Sequence, residues 1–237
     1  MRIHDSVALV TGGNRGLGLA FAKQLQAGGA KTVYAGVRNP DAFETPGIVP
    51  VKVDVTDPDS ISAAVDACPD VTLLINNAGI GSLTTGVLDP AFVDSCRNIF
   101  ETNFYGMVRA SQAFAHVISE NGGGAIINIL SDASWFSRPV LGAYSASKSA
   151  AWSFTNALRL DLRERGIEVL AMHAGFIDTD MASGVDTAKT DPRQVAATTL
   201  EGLENGLQEV LVDGQARLVK GTLSTDRGYY LDPPDIG

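Results

Sequence analysis

Seven short runs of apolar, largely β-branched residues recur along the chain, at 7–10, 32–36, 49–54, 73–76, 125–130, 168–173 and 209–211. Several are apolar throughout instead of alternating, the pattern of strands buried on both faces of a parallel sheet. Longer stretches with helical spacing lie between them, at 17–27, 60–67, 90–119, 143–165 and 192–206. Strands alternating with helices of this length predict right-handed crossovers and a doubly wound α/β sheet. Residues 121–124, Asn-Gly-Gly-Gly, read as the end of the long third helix and a turn into the next strand. No repeat or composition shift marks a linker, so residues 1–237 are read as one domain. The tail from about 230 to 237 carries no regular pattern, and disorder is the expectation there.

Composition narrows the function classes. The chain is 45% apolar and 19% charged, ordinary for a soluble protein, and its 237 residues are enough to bury a core without staples. A formal charge of −9 argues against nucleic acid as a partner, which needs clustered Lys and Arg to neutralise phosphates. It leaves an anionic small ligand open, because the local field decides there. Cys68 and Cys96 read as two ordinary thiols in a reducing compartment, with a single disulfide as the alternative. The N-terminus reads as a first strand, not a leader, and no apolar stretch approaches the ~20 residues of a membrane-spanning helix. The expectation is a soluble, cytoplasmic protein with no membrane partner.

Candidate chemistry begins after the first strand, where residues 11–18 read Thr-Gly-Gly-Asn-Arg-Gly-Leu-Gly and run into a helix. Glycines at 12, 16 and 18 let the backbone approach a pyrophosphate, and the helix start offers free N–H groups with a positive dipole end. The second strand ends in Val37 and Arg38, with no carboxylate to accept the ribose 2′-OH of NAD. Arg38 and Arg15 are instead two cations suited to a 2′-phosphate, which favours NADP(H). Further on, Tyr144 and Lys148 stand at i and i+4 on a helix and therefore share a face. An ammonium beside a phenol favours the phenolate, so Lys148 is expected to draw Tyr144 down towards the working pH. Ser131, after the fifth strand, can hydrogen-bond an oxygen on which negative charge develops, with Ser134 as the fallback.

The Gly12–Gly16–Gly18 spacing, Asn-Asn-Ala-Gly at 76–79, and Ser131, Tyr144 and Lys148 in this order resemble the short-chain dehydrogenase/reductase family. So do Glu-Thr-Asn-Phe-Tyr-Gly at 101–106 and Gly-Phe-Ile-Asp-Thr at 175–179. The resemblance covers roughly residues 5 to 181 and implies a Rossmann-like, NADP(H)-binding oxidoreductase of small carbonyl and alcohol substrates. It implies a catalytic set of Asn103, Ser131, Tyr144 and Lys148, with Asn103 helping to hold a water that links Lys148 to solvent. For the cofactor it implies contacts from Gly12, Asn14, Arg15, Gly16, Leu17, Gly18, Arg38, Asp54, Val55, Asn77, Ala78, Gly79, Gly175, Ile177 and Thr179, besides Tyr144 and Lys148. Asp54 would meet the adenine, and Asn76 serves either the adenine ribose side or the sheet. Relatives assemble as homodimers or homotetramers, which is the expectation for this chain. Ala174 departs from the family's usual proline, and the segment from 209 onward lacks the glycine-rich close of many relatives.

His4, His116 and His173 lack the spacing of a metal site, and no nucleophile elbow is present. Trp135, Phe136, Phe176 and Met181 flank the proposed site and read equally as pocket wall or core. The alternatives are an NAD-linked alcohol dehydrogenase, which calls for an acid where Val37 stands, and a dinucleotide-binding regulator, which has no use for Ser131, Tyr144 and Lys148 together.

Overall fold

A computed structural model describes residues 1–234. Seven strands, β1 (Val7–Thr11), β2 (Thr32–Val37), β3 (Val49–Lys52), β4 (Leu73–Asn76), β5 (Gly124–Ile129), β6 (Ile167–His173) and β7 (Glu209–Leu211), form one sheet. All neighbours are parallel and the order is β3-β2-β1-β4-β5-β6-β7, the Rossmann-like doubly wound arrangement expected. The order reverses between β1 and β4, so a crevice opens beyond their carboxyl ends.

The apolar runs have the sequence they do because both faces are covered. Ala8 and Val10 of β1 join one core with Phe21 and Leu25 of α1 (Gly16–Ala27) and Val195 and Leu203 of α6 (Pro192–Glu204). Val7 and Leu9 point the other way, into a second core. There they meet Ile61 of α2 (Pro58–Ala67), Phe114 of α4 (Gly106–Glu120) and Leu158 of α5 (Gly142–Leu162). Pro50, which cannot donate to a ladder, is tolerated because β3 is an edge strand. Pro58 and Pro192 each open a helix behind an aspartate, Asp57 and Asp191, whose side chain accepts a first-turn N–H.

Three features depart from the expected elements. The long third helix is broken: α3 (Phe92–Phe100) and α4 are joined by a π-helical turn, Glu101–Tyr105. An additional helix, α7 (Gly214–Gly221), follows β7 and is capped by Asp213. The tail is held as far as it is described: Arg138, almost fully buried, donates through Nε and Nη2 to the Pro234 carbonyl at 3.0 and 2.8 Å. Residues 235–237 lie outside the described residues. Cys68 and Cys96 are free thiols, and no described helix is long and apolar enough to cross a membrane.

A polar ladder crosses the second core. Asn76 Nδ2 donates to Ser111 Oγ of α4 (2.9 Å) and to Asn128 Oδ1 of β5 (2.8 Å), and Asn128 Nδ2 donates to Thr155 Oγ1 of α5 (2.9 Å). Asn76 thus braces the sheet against α4 through its side-chain amide. Asn128→Ala removes both its bonds and opens a small void, so about 2–4 kcal/mol of stability should be lost in urea unfolding. A loss below about 1 kcal/mol would show that the ladder is ornamental to stability.

Candidate active site

The phosphate cradle is built at the sheet's switch point. Gly12 and Gly16 adopt positive φ (66° and 51°), a conformation other residues rarely take. A Cβ on Gly18 would stand 2.1 Å from the Gly12 carbonyl oxygen, so only glycine lets α1 start so close to the loop. The start of α1 has no side-chain cap and no acid in its first turn, which leaves its N–H groups open at the crevice. Asn14 and Arg15 are exposed, whereas Leu17 points into the core. The residues present therefore fit a dinucleotide's pyrophosphate.

Around the cradle the expected contacts divide into exposed groups and braces. Asn77 Nδ2 donates to the Thr11 and Gly12 carbonyls (2.9 and 3.2 Å), and Thr11 Oγ1 accepts from the N–H groups of Asn77 and Ala78 (both 3.0 Å). The amide of Asn77 thus holds the glycine loop in shape. Asp54, beyond β3, is fixed by the Thr56 hydroxyl and N–H, which hold its carboxyl below the usual range. Val55 is buried against Gly106, where an added Cβ would come within 2.7 Å. Gly79 lies beside Asn103 Oδ1. Arg38 is exposed, and Arg15 reaches Asp180 at 3.2 Å across the crevice mouth. Thr179 packs over Gly16, Ile177 bridges to Thr190, and Gly175 donates its N–H to Asp213 Oδ2 at 2.7 Å.

Ser131, Tyr144 and Lys148 come together at the carboxyl edge of β5 and the start of α5. The Ser131 side chain lies near enough to the Tyr144 phenol to favour its ionised form. Lys148 is buried, donates to the Ile129 carbonyl at 2.8 Å and sits 5.7 Å from the Tyr144 ring centre. Burial, with the nearby Asp132 carboxyl, pushes Tyr144 up to about 12, although the Ser131 hydroxyl pulls the other way. This reverses the expected downward shift: Lys148 spends its ammonium on a backbone carbonyl, and desolvation of the phenolate wins. Burial pulls Lys148 itself down to about 8.

The family is settled by the chain as a whole. A family model described as short chain dehydrogenase matches residues 6–190. This chain belongs to that family. It is 34% identical to mouse dehydrogenase/reductase SDR family member 7B over 78% of this chain, but spans only 62% of that protein's length. It is also 34% identical to galactitol 2-dehydrogenase of Agrobacterium fabrum, over 78% of this chain and 76% of that one. Among solved structures, a short chain dehydrogenase from Burkholderia cenocepacia in complex with NADP superposes with a TM-score of 0.91, at 36% identity and 96% coverage of both chains. One from Burkholderia phymatum in complex with NAD shares the fold (TM-score 0.83, 23% identity, all of both chains).

Several features of this short chain dehydrogenase were not anticipated. Asn103 sits in the π turn, fully buried, and clamps the strand-end loop: it donates to the Ile80 carbonyl (2.9 Å) and Ser147 Oγ (3.2 Å) and accepts from the Ile80 N–H (2.8 Å). Asp213, at the cap of α7, holds the Gly175 turn that lacks the family's proline at Ala174. Asp132, directly after Ser131, is a buried acid at the centre of the site; an acid immediately following the apolar fifth strand and the candidate Ser131 was the signal for it. Ser134 is buried, its hydroxyl without a partner among the described residues and its carbonyl taking the Ser149 hydroxyl at 2.8 Å. Trp135 stacks on His173 (3.9 Å) and Phe136 meets Tyr229 edge-on (5.0 Å), so both pack. Met181 is exposed over Gly81 on the cleft wall shared with Tyr144. Among the described residues no His, Cys, Asp and Glu cluster has the make-up of a metal site.

Proposed function

We propose that this short chain dehydrogenase reduces small carbonyl compounds with NADPH and oxidises the corresponding alcohols in reverse. The observation that carries the reading is the gathering of Ser131 and Tyr144 beside a buried Lys148, facing the same crevice as the open start of α1. NADP(H), when bound, supplies or accepts the hydride. The backbone of Gly12, Asn14, Gly16, Leu17 and Gly18 holds the pyrophosphate, Asp54 and Val55 border the adenine, and Ala78 and Gly79 line the ribose side. Gly175, Ile177 and Thr179 face the nicotinamide.

Tyr144 is neutral at working pH, its hydroxyl pushed up to about 12, and so acts as the proton donor to the carbonyl oxygen. Ser131 orients that oxygen and stabilises its developing charge. Lys148 holds the nicotinamide ribose, and its charge, lost above about 8, favours the Tyr144 phenolate left behind. Asn103 keeps the loop at Ile80 and α5 in register and supports proton resupply to Lys148.

Arg38 and Arg15 take the 2′-phosphate, Arg15 by exchanging Asp180 for it. The NADP bound by the Burkholderia cenocepacia relative supports this preference. The test is a panel of ketones and aldehydes with NADPH and with NADH, followed by loss of nicotinamide absorbance. Arg38→Leu should lower kcat/KM for NADPH about 10- to 100-fold, the worth of a charge-assisted bond, and leave NADH turnover unchanged. Equal wild-type turnover with the two cofactors contradicts the assignment.

A further inference from the structure

Asp132 is only 7% exposed, a rare position for a carboxyl without a cationic partner. Its Oδ1 accepts from the Ser131 hydroxyl at 3.0 Å and from the Ala133 N–H at 2.7 Å. That N–H also reaches Ser131 Oγ, at 3.1 Å, which alone caps the short turn Asp132–Ser134. The turn therefore has an acceptor without the acid. The Ser131 hydroxyl, by contrast, has one proton to give, and its other acceptor, the Ala174 carbonyl, is 3.5 Å away.

We propose that Asp132 is a positioning residue: its carboxylate captures the Ser131 hydroxyl proton in a hydrogen bond, and its neutral form releases that hydroxyl to a substrate oxygen. The proposal rests on the reading of Ser131 and Tyr144 as the groups that meet the carbonyl. A charge-assisted hydrogen bond is roughly twice as strong as a neutral one. An ionised Asp132 therefore outcompetes a neutral carbonyl for the Ser131 proton, whereas a neutral Asp132 competes on equal terms.

The surroundings allow both forms near neutral pH. Burial pushes Asp132 up to about 6; the Ser131 hydroxyl and Ala133 N–H pull it down, the Asp213 carboxyl before α7 pushes it up, and Arg138 of the following loop pulls it down. Tyr144 of α5 is a neutral phenol. His173 at the end of β6, bonded through Nδ1 to the Ser131 carbonyl at 2.8 Å, is held neutral by burial, with its pKa lowered to about 3. Lys148 is engaged with Ile129. Among the described residues no ion pair involves Asp132. The carboxyl is thus neutral below about pH 6 and ionised above it, and carbonyl reduction weakens as it ionises.

The test is the pH profile of kcat/KM for NADPH-dependent reduction of benzil, an aromatic diketone, by wild type and by Asp132→Asn. Asparagine keeps an acceptor of the same shape on Ala133 and is never charged. Wild type should lose about tenfold as Asp132 ionises, then fall again as Lys148 deprotonates. Asp132→Asn should lack the first fall and keep the second, so between the two it reduces benzil about tenfold faster than wild type. A slower Asp132→Asn enzyme with the wild-type profile would assign the acid a structural role alone and overturn the proposal. So would a wild-type profile without the acid-side step, which stands even if the variant fails to fold. Infrared titration of wild type adds a readout without turnover: a protonated carboxyl band must vanish across the same step, and its absence overturns the proposal. Failure of the underlying reading has a separate signature, a Tyr144→Phe enzyme that still turns over.

Discussion

Tyr144→Phe should lower kcat for carbonyl reduction by about three orders of magnitude while NADPH affinity changes by less than about twofold. The hydroxyl is protonated at working pH and stands beside Ser131 and the buried Lys148. Its phenyl ring keeps the packing, so the cradle at Gly12–Gly18, built from backbone and braced by Asn77, is untouched. Stopped-flow consumption of NADPH gives the rate, and quenching of protein fluorescence by NADPH gives the affinity. Loss of both together would place Tyr144 in the fold, not in the chemistry.

Lys148→Met should cut turnover by about two to four orders of magnitude and at the same time stabilise the protein by about 1–3 kcal/mol at pH 7. The two effects share one cause. Burial pulls the Lys148 pKa from 10.5 to about 8, so the folded state carries a charge it holds at a cost. The unfolded chain binds more protons between about 8 and 10.5, and wild-type stability therefore rises with pH across that window. Methionine fills similar space without the charge, and the lost bond to the Ile129 carbonyl offsets part of the gain. Urea unfolding at several pH values checks both statements: the variant's extra stability should shrink as the pH passes about 8. A less stable Lys148→Met protein would show that the bond to Ile129 outweighs the buried charge.

The sheet was legible because its central strands are buried on both faces, which writes apolar runs such as 7–10 and 169–172 into the chain. Helix starts at Pro58 and Pro192 carry their aspartate caps one residue upstream, again a local signal. The π turn was not legible, since what holds Asn103 there is Ile80 and Ser147, 23 and 44 residues away. Arg138 and the tail were missed for the same reason, their contact spanning 96 residues. At the site, the i and i+4 spacing of Tyr144 and Lys148 was visible, but the direction of the Tyr144 shift was not. That direction depends on how deeply the hydroxyl is buried and on Asp132 beside it, and neither is a property of spacing.

The central claim is that Tyr144, Ser131 and Lys148 carry NADPH-dependent reduction of a carbonyl. Its most direct test is product analysis with NADPH deuterated at the nicotinamide C4, run over the carbonyl panel with wild type and Tyr144→Phe. The account predicts that wild type places the label on the carbinol carbon of at least one product, that Tyr144→Phe forms almost none, and that NADH serves less well. Tight NADPH binding with no labelled alcohol from any carbonyl would contradict it and make the chain a sensor of the dinucleotide.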